Sequence, residues 1–280
     1  MTVKIITDTL SDITADMAAE LGVTVVPLYV RFGEEIYRDR VDITTEEFYR
    51  RLVSESSLPS TTQPTPNDFM EIYQAAARET DEILVVTVSS KLSGTYQSAT
   101  QAAKEMEGGQ ARIVVIDSLA VAMTLGLVVI KAAGAVKAGA SLDDVAAQVN
   151  RDIQNTHLFA YFDTLKYLAK GGRIGKAQGM LGSMLSVKPI LTIKEGEMAP
   201  LTRMRSKAAG MDYLYNSVAA LSDIDGLAVE HTTNLEDADE LVERLGAIYP
   251  REKIYRSTIS PVVGTYAGPG ALAVTVLTKA

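Results

Sequence analysis

The chain lacks several residues on which common kinds of protein chemistry depend. It has no cysteine among its 280 residues, and its only histidines are His157 and His231. Without cysteine there is neither a disulfide framework nor a thiol nucleophile. Because cysteine and any regular histidine–carboxylate spacing are both missing, we expect no structural or catalytic transition-metal site.

Long apolar runs are missing as well. The most apolar stretch, residues 119–136, is interrupted by Thr124, Lys131 and glycines, so we interpret it as a buried helix and not as a membrane span. The first eight residues have the pattern of a strand and a turn, unlike a signal peptide. Together with the absence of cysteine, these features predict a cytoplasmic protein with no stable membrane insertion.

The sequence carries none of the familiar catalytic or nucleotide-binding motifs. It has no Gly-x-Ser-x-Gly elbow and no Walker A loop. Residues 264–270 are rich in glycine but do not have the spacing of a dinucleotide fingerprint. A Ser-His-Asp hydrolase would need one of the two histidines to be brought to Ser93 by the fold. We interpret both histidines as packing or hydrogen-bonding residues and predict no catalytic residue.

Negative charge predominates, with 35 acidic against 27 basic residues and a net charge of −8. This balance gives no global electrostatic support for nucleic-acid binding. Residues 166–207 differ, because they hold nine Lys and Arg side chains against only Glu195 and Glu197. Such a local basic face predicts a polyanionic partner or an acidic ligand group, with a simple solvated face as the equal alternative.

The first part of the chain alternates strands with helices. We predict strands at 3–7, 23–31, 83–88 and 112–117, and helices at 11–21, 44–54, 66–78, after Ser93, at 119–137 and at 141–155. Ser11 and Asp12 are the expected caps of the first helix, and Gly22 follows its end. Strands that are continuous apolar runs separated by helices are typical of a parallel sheet covered on both faces.

After about residue 156 the pattern changes. We predict strands at 158–162, 188–193, 227–231, 253–258 and 272–277, and helices at 177–185, 206–221 and 235–245. A hairpin turn is expected at Glu195-Gly196. The sequence therefore predicts an α/β fold of two closely packed domains, a parallel-sheet domain at 1–156 and an α+β domain at 157–280. A cleft between domains is a common place for a ligand.

Two hydroxyl-rich segments are candidates for an anion site. Residues 89–98 follow the predicted strand 83–88 and run into a helix, so they place hydroxyls and free backbone N–H groups at a helix N-terminus. Residues 59–66 form a second cluster, and the two segments could close on one small acidic group. Taken singly, Ser93 could be only a helix cap and the proline-rich loop only a rigid connector.

Six motifs, in order along nearly the whole chain, resemble the DegV family of bacterial fatty-acid-binding proteins. They are residues 7–12 (Thr-Asp-Thr-Leu-Ser-Asp), 60–64 (Ser-Thr-Thr-Gln-Pro), 92–98 (Leu-Ser-Gly-Thr-Tyr-Gln-Ser), 165–174 (Leu-Lys-Tyr-Leu-Ala-Lys-Gly-Gly-Arg-Ile), 187–191 (Val-Lys-Pro-Ile-Leu) and 264–270 (Gly-Thr-Tyr-Ala-Gly-Pro-Gly). The resemblance implies a two-domain layout with an acyl chain held between the domains. It also implies that Thr61 and Ser93 hydrogen-bond the fatty-acid carboxylate and that Arg173 lies near the mouth of the site.

One position departs from the family pattern. The family's last motif usually reads Gly-x-His-x-Gly-Pro-Gly with its histidine close to the carboxylate, whereas this chain has Tyr266 there. Tyrosine can still donate an O–H but carries no positive charge at neutral pH. Thr62 and the N–H of Gly94 are further candidate donors, and no cofactor is expected.

The resulting prediction is a non-catalytic protein that binds a long-chain fatty acid and presents it to a partner. By resemblance the partner is a kinase subunit, and a basic face with Arg173, Arg203 and Arg205 is its expected contact. Apolar walls for the acyl chain are sought at 119–129, at 180–185 and in the strands around Ile190 and Val274. Two alternatives stay open: an acyl- or phosphoryl-transfer enzyme that uses Ser93, and a binder of a small phosphorylated metabolite.

Overall fold

The computed structural model of the protein describes residues 3–183 and 187–279. The strands are β1 (Lys4–Asp8), β2 (Val23–Val26), β3 (Tyr29–Phe32), β4 (Glu35–Arg38), β5 (Ser60–Thr62), β6 (Glu82–Thr87), β7 (Arg112–Asp117), β8 (Thr156–Tyr161), β9 (Lys188–Lys194), β10 (Glu197–Met204), β11 (Ile224–His231), β12 (Ile254–Thr258) and β13 (Leu272–Thr278). The α-helices are α1 (Ala15–Leu21), α2 (Thr45–Ser54), α3 (Pro66–Ala76), α4 (Thr95–Glu105), α5 (Met123–Lys137), α6 (Leu142–Gln154), α7 (Lys166–Lys170), α8 (Lys207–Ala219), α9 (Leu235–Leu245) and α10 (Pro261–Ala267).

The first sheet is parallel and has the strand order β2-β1-β6-β7. Alternate residues of β6 serve opposite faces, as the twofold repeat of a strand requires. Ile83 and Val85 pack with α3 and α4, whereas Leu84 and Val86 pack in the cluster that contains α5 and α6. The prediction of a parallel sheet covered on both faces is confirmed.

The predicted strand at 23–31 is wrong, because two strands in different sheets occupy that range. Pro27 separates β2 from β3, and proline has no N–H with which to continue a ladder. The next residue, Leu28, donates its N–H to Thr9 Oγ1 at 3.1 Å. Strand β3 then forms a small antiparallel sheet of order β4-β3-β5, which the sequence patterns did not predict.

Two helix predictions also need correction. The first helix begins at Ala15 with Thr14 as its N-cap, and the expected caps at 11 and 12 belong instead to a 3-10 turn, Thr9–Ser11. Gly22 ends the helix in the left-handed conformation, as expected. The helix predicted at 177–185 is a run of 3-10 turns, Gly175–Ser183, and its last two residues lie outside the described residues.

The second sheet has the order β10-β9-β8-β13-β11-β12 and is antiparallel except for the pair β11–β12. The β9–β10 turn has positive φ at both central residues, 55° at Glu195 and 81° at Gly196. Two successive positive φ values are typical of a type I′ hairpin turn, so the predicted turn is confirmed. Helices α8 and α9 cover one face of this sheet.

Helix α5 joins the two large sheets. It contacts β1 and β6 of the first sheet and β8, β11 and β13 of the second. The helix begins at Met123, four residues after the predicted start, and its residues from Met123 to Ile130 are all buried, as the interpretation of a buried helix requires. The last strand of the parallel sheet ends at Asp117, and the first strand of the six-stranded sheet begins at Thr156. The domain boundary at 156/157 stays a prediction. Within the described ranges, every helix is too short or too polar to cross a bilayer.

Four carboxyl groups, those of Asp8, Asp12, Asp39 and Glu230, lie fully buried where the sheets meet. Asp8 accepts hydrogen bonds from the backbone N–H groups of Leu10 (3.0 Å) and Val88 (2.8 Å). Asp12 accepts one from Ser260 N at 3.0 Å. The two aspartates of the first motif therefore bind backbone N–H groups at strand ends, and only Leu10 of that motif lines the cavity described below.

The carboxyl groups of Asp12 and Glu230 lie within hydrogen-bonding reach of each other. Burial raises the pKa of Asp12, and burial together with the nearby Asp12 charge raises the pKa of Glu230 well above its usual range. Each group also has one oxygen with no partner among the described residues. A proton shared between the two groups satisfies both, whereas two buried carboxylates side by side would repel.

We expect the protein to become less stable as the pH rises from about 5 to 8. Burial raises the pKa of Asp8 and of Asp39 to about 7, so below that pH the folded state holds protons that the unfolded chain releases near pH ~4. Each excess proton lowers the free energy of unfolding by about 1.4 kcal/mol per pH unit of increase. Burial lowers the pKa of His157 and His231, and these two half-buried groups act weakly in the opposite direction.

Urea titrations at pH 5, 6, 7 and 8 measure this decline. The variant Asp39→Asn is expected to make the decline shallower between pH 5 and 7. Asp42→Asn is the matched control, because hydrogen bonds from Arg38 lower the pKa of the exposed Asp42 to about 2, below the tested window. Stability that is flat or increases from pH 5 to 8 would contradict the buried-acid interpretation.

Candidate ligand-binding site

The Ser93 segment lies at the carboxyl end of β6, beside the point where the first sheet reverses its strand order between β1 and β6. Ligands of open α/β sheets bind in the crevice at such a point. Ser93 Oγ lies 2.9 Å from Thr95 Oγ1 and accepts a weak bond from Thr95 N at 3.4 Å. The N-cap of α4 is Gly94, so Ser93 is not the cap residue itself.

The second hydroxyl segment, residues 59–66, is a short strand and a helix cap and not a loop. Thr61 lies in β5 opposite Val30, and Thr65 caps α3. Thr61 Oγ1 lies 2.5 Å from the hydroxyl of Tyr266 on α10, a hydrogen bond between residues 205 positions apart. Thr62 is the next residue of the strand and is exposed.

Arg173 connects the two hydroxyl segments. Its Nε donates to the carbonyl of Leu92 at 3.2 Å, and its guanidinium carbon lies 5.2 Å from the centre of the Tyr266 ring. A cation at this distance over an aromatic face is attracted by the ring. Arg173 therefore contacts the residue before Ser93 and the tyrosine that binds Thr61.

Two glycines allow close approach around this point. A Cβ atom on Gly94 would stand 2.4 Å from the side chain of Gln63, so the two hydroxyl segments touch there. A Cβ on Gly171 would stand 2.3 Å from the ring of Tyr266. Of the six expected site residues, Thr61, Tyr266 and Arg173 are joined by direct contacts. Arg173 reaches the Ser93 segment at Leu92, and Gly94 touches Gln63, whereas Ser93 and Thr62 adjoin this set along the chain. Gln63 is a member of this set that sequence reasoning missed.

An apolar cavity with a volume of about 80 Å³ begins at these residues. Leu92, Arg173 and Tyr266 border its mouth. Its walls comprise Leu10 and Val121–Ala122 after strands β1 and β7, Leu158, Ala160 and Phe162 of the β8 region, Ala271 and Ala273 of the β13 region, and Met198, Ile259, Val263 and Ala267. The cavity therefore lies between the carboxyl edge of the first sheet and one face of the second.

The cavity owes its space to small side chains. Ala160 and Ala273 are directly opposite each other in the β8–β13 ladder, and both face the cavity side of the sheet. A pair of methyl groups leaves empty a volume that larger cross-strand partners would occupy. Of the expected wall at 119–129, Val121 and Ala122 line the cavity. Ile190 and Val274 instead pack on the opposite face, in the cluster with α8 and α9.

A polar recess adjoins the mouth. It is lined by hydroxyl residues of the 56–61 segment together with Lys170, and it shares Arg173 and Tyr266 with the apolar cavity. Neither histidine of the chain lines the cavity or the recess. Among residues 3–183 and 187–279, no group of three or more acidic or histidine side chains is arranged to hold a metal ion. The arrangement suits an amphipathic molecule with an apolar tail and a small anionic head.

Comparison with known proteins identifies the family. The chain matches the family model described as "Uncharacterised protein, DegV family" over residues 2–279, and it belongs to the DegV family. A DegV domain-containing protein of Caldanaerobacter subterraneus subsp. tengcongensis is 35% identical over 276 residues, which are 97% of each chain.

Solved structures agree with this assignment and with the fold. A DegV family protein from Thermus thermophilus, described by its fatty acid binding, matches with a TM-score of 0.92 at 32% identity over 100% of both chains. DegV from Bacillus subtilis, described as a fatty acid binding protein, matches with a TM-score of 0.90 at 28% identity, also over 100% of both chains. The predicted fold class and family are confirmed.

Filling the cavity tests its position. We expect Ala160→Leu to reduce binding of 1-anilinonaphthalene-8-sulfonate, an apolar probe with an anionic group, at least several-fold. Because the added carbons enter empty space, stability should be unchanged or higher by about 1–2 kcal/mol. Probe fluorescence and thermal unfolding measure the two effects.

Ala219→Leu is the matched control, because Ala219 is exposed at the end of α8. That variant should bind the probe like the parent. An Ala160→Leu protein that is destabilised and still binds the probe normally would show that the space beside Ala160 is not the binding cavity.

Proposed function

We propose that this protein is a non-catalytic carrier of long-chain fatty acids. The hydroxyls of Thr61 and Ser93 hold the carboxylate, with Thr62 and the N–H of Gly94 as further donors. Arg173 and Tyr266 border the mouth, and the acyl chain fills the cavity between the sheets. The observation that carries the proposal is an apolar cavity that opens at Tyr266 and Arg173 onto a recess of hydroxyl groups.

The relatives support the same ligand class. Both solved DegV structures cited above are described by fatty acid binding, and each shares more than a quarter of its residues with this chain. The apolar walls favour an acyl tail over a small phosphorylated metabolite, which would need polar groups along its whole length.

The division of labour between tail and head follows from their chemistry. Each buried methylene contributes about 0.8 kcal/mol, so a chain of about sixteen carbons supplies roughly 12 kcal/mol before entropy costs. The head group then determines orientation more than affinity. Neutral hydroxyl donors suit a carrier, because the ligand must also leave. The Thr61–Tyr266 hydrogen bond holds both oxygens where each could instead donate to a carboxylate.

Removing either hydroxyl tests the head-group site. We expect Thr61→Ala and Ser93→Ala each to weaken binding of oleate or palmitate by about tenfold to a hundredfold, because each removes a charge-assisted hydrogen bond. Titration of delipidated protein gives the affinities, and thermal unfolding shows whether the fold is intact.

Thr65→Ala is the control for a purely structural hydroxyl. Thr65 caps α3 and also bonds Asp68, so its loss should lower stability and leave affinity unchanged. If Thr61 and Ser93 behave like Thr65, their hydroxyls are structural. If the parent protein takes up neither fatty acid, it is not a fatty-acid carrier.

We further propose that a kinase subunit contacts the basic face, defined here as Arg173, Arg203 and Arg205. All three are exposed, and none forms an ion pair with a described residue. Arg203 and Arg173 flank the same run of 3-10 turns, since Arg203 donates to the carbonyl of Gly179 at 3.4 Å. Lys176, Lys188 and Lys207 of the same region are neutralised by Glu195, Asp163 and Asp237.

Charge reversal tests this contact. Arg203→Glu and Arg205→Glu should keep the parent's oleate affinity and lose at least about tenfold in phosphorylation of bound oleate by a cognate fatty acid kinase, as expected for a buried interfacial charge. Arg78→Glu makes the same change of charge at the exposed end of α3 and should have no effect. Unchanged turnover in both β10-region variants would show that these arginines belong to a solvated face.

A further inference from the structure

We infer that the acyl cavity selects for the chemistry of the tail: it accepts an unsubstituted hydrocarbon chain and rejects a chain that carries a hydroxyl group far from the carboxylate. This inference rests on the proposed fatty-acid function and goes beyond it. It follows from where polar side chains lie around the cavity and where they do not.

Among the residues that the structure describes, three with polar side chains border the cavity, namely Arg173, Tyr266 and Tyr161. The first two belong to the mouth, which they share with the polar recess. Arg173 and Tyr266 can form hydrogen bonds with a hydroxyl on the carbon next to the carboxylate. They cannot reach a hydroxyl that lies deep in the cavity beside Ala160 and Ala273.

Tyr161 borders the cavity but turns its hydroxyl elsewhere. Its ring packs in the cluster on the opposite face of the sheet, against α8, where a Cβ on Gly210 would stand 2.6 Å from the ring. Its O–H donates to Asp163 Oδ1 at 2.8 Å. The alternation of β8 explains this, because Leu158 and Ala160 face the cavity and Tyr161 must face away.

The sheet backbone offers no partner either. Ala160 and Ala273 lie within the continuous β8–β13 ladder, so their backbone groups are already used in pairing. On the other side the wall is made of Leu10, Val121 and Ala122. Among the described residues that line this part of the cavity, no side chain offers a tail hydroxyl a hydrogen-bonding group.

Two carboxyl groups that can share one proton do lie behind this wall. Asp12 and Glu230 each have a buried oxygen without a partner among the described residues. These two carboxyl groups lie next to the cavity but do not line it. Glu230 is paired with Ala273 in the β11–β13 ladder, and the wall residues nearest in the chain to Asp12 and Ser260 are Leu10 and Ile259. A tail hydroxyl could reach them only if the wall opened.

The expected discrimination follows from the loss of hydration. A hydroxyl moved from water to a site without a partner is penalised enough to weaken binding by about tenfold to a hundredfold. A cis double bond adds no polar group and should pass the same wall without this penalty.

Three ligands of equal chain length test the inference: stearate, 2-hydroxystearate and 12-hydroxystearate, each titrated into delipidated protein by calorimetry. We expect 2-hydroxystearate to bind within about threefold of stearate and 12-hydroxystearate at least about tenfold more weakly. The variant Tyr161→Phe should leave the ratio of stearate to 12-hydroxystearate affinity unchanged.

Each of the other results would contradict the inference, the fatty-acid function, or both. Equal binding of stearate and 12-hydroxystearate overturns the inference and leaves the fatty-acid function standing. An equal loss for both hydroxylated acids also overturns it, since the loss would then not depend on the wall. A changed ratio in Tyr161→Phe shows that its hydroxyl serves the ligand, contrary to the inference. No binding of stearate itself overturns the function and the inference together.

Discussion

Burial of the first half of helix α5 on all sides is the constraint on which the rest of the molecule depends. The helix packs against strands of both large sheets, and its residues from Met123 to Ile130 have no exposed face. Because this one helix packs against both sheets, the sheets cannot move apart without exposing its apolar residues to water. The edge of the first sheet is thereby held facing the second, and the space left between them is the cavity.

The same constraint explains the buried acids. The helix begins inside the protein, where water cannot satisfy its free N–H groups. Glu230 from β11 takes this role and accepts from Met123 N at 3.1 Å. Burial then favours a protonated carboxyl, and Asp12 lies within reach to share the proton. A polar cluster thus lies directly behind an apolar wall, and the two do not mix because Leu10, Ile259 and Ala273 separate them.

Local sequence patterns predicted the helices and strands far better than they predicted the contacts between them. The strand Arg112–Asp117 and the helix Leu235–Leu245 have the predicted ends, because apolar periodicity and turn residues act locally. The break at Pro27 was missed, since the apolar run continues across it and only tertiary pairing separates β2 from β3. The cavity could not be predicted residue by residue. Ala160 and Ala273 are ordinary core residues in the sequence, and only their pairing across β8 and β13 leaves the space.

No local sequence pattern could predict the contact of Thr61 with Tyr266, because 205 positions separate the two residues. The motif resemblance suggested both, and it also drew attention to the tyrosine in place of the usual histidine. In this structure the phenol does two things at once: its hydroxyl bonds Thr61, and its ring receives the guanidinium of Arg173. A charged imidazolium would repel that arginine, whereas a phenol attracts it.

Formal positive charge around the recess therefore comes from Arg173 and Lys170, both exposed to solvent. In the proposed function, neutral hydroxyls and one solvated arginine therefore hold the carboxylate, and binding of an ionised carboxylate would not need the protonation of any group that titrates near neutral pH.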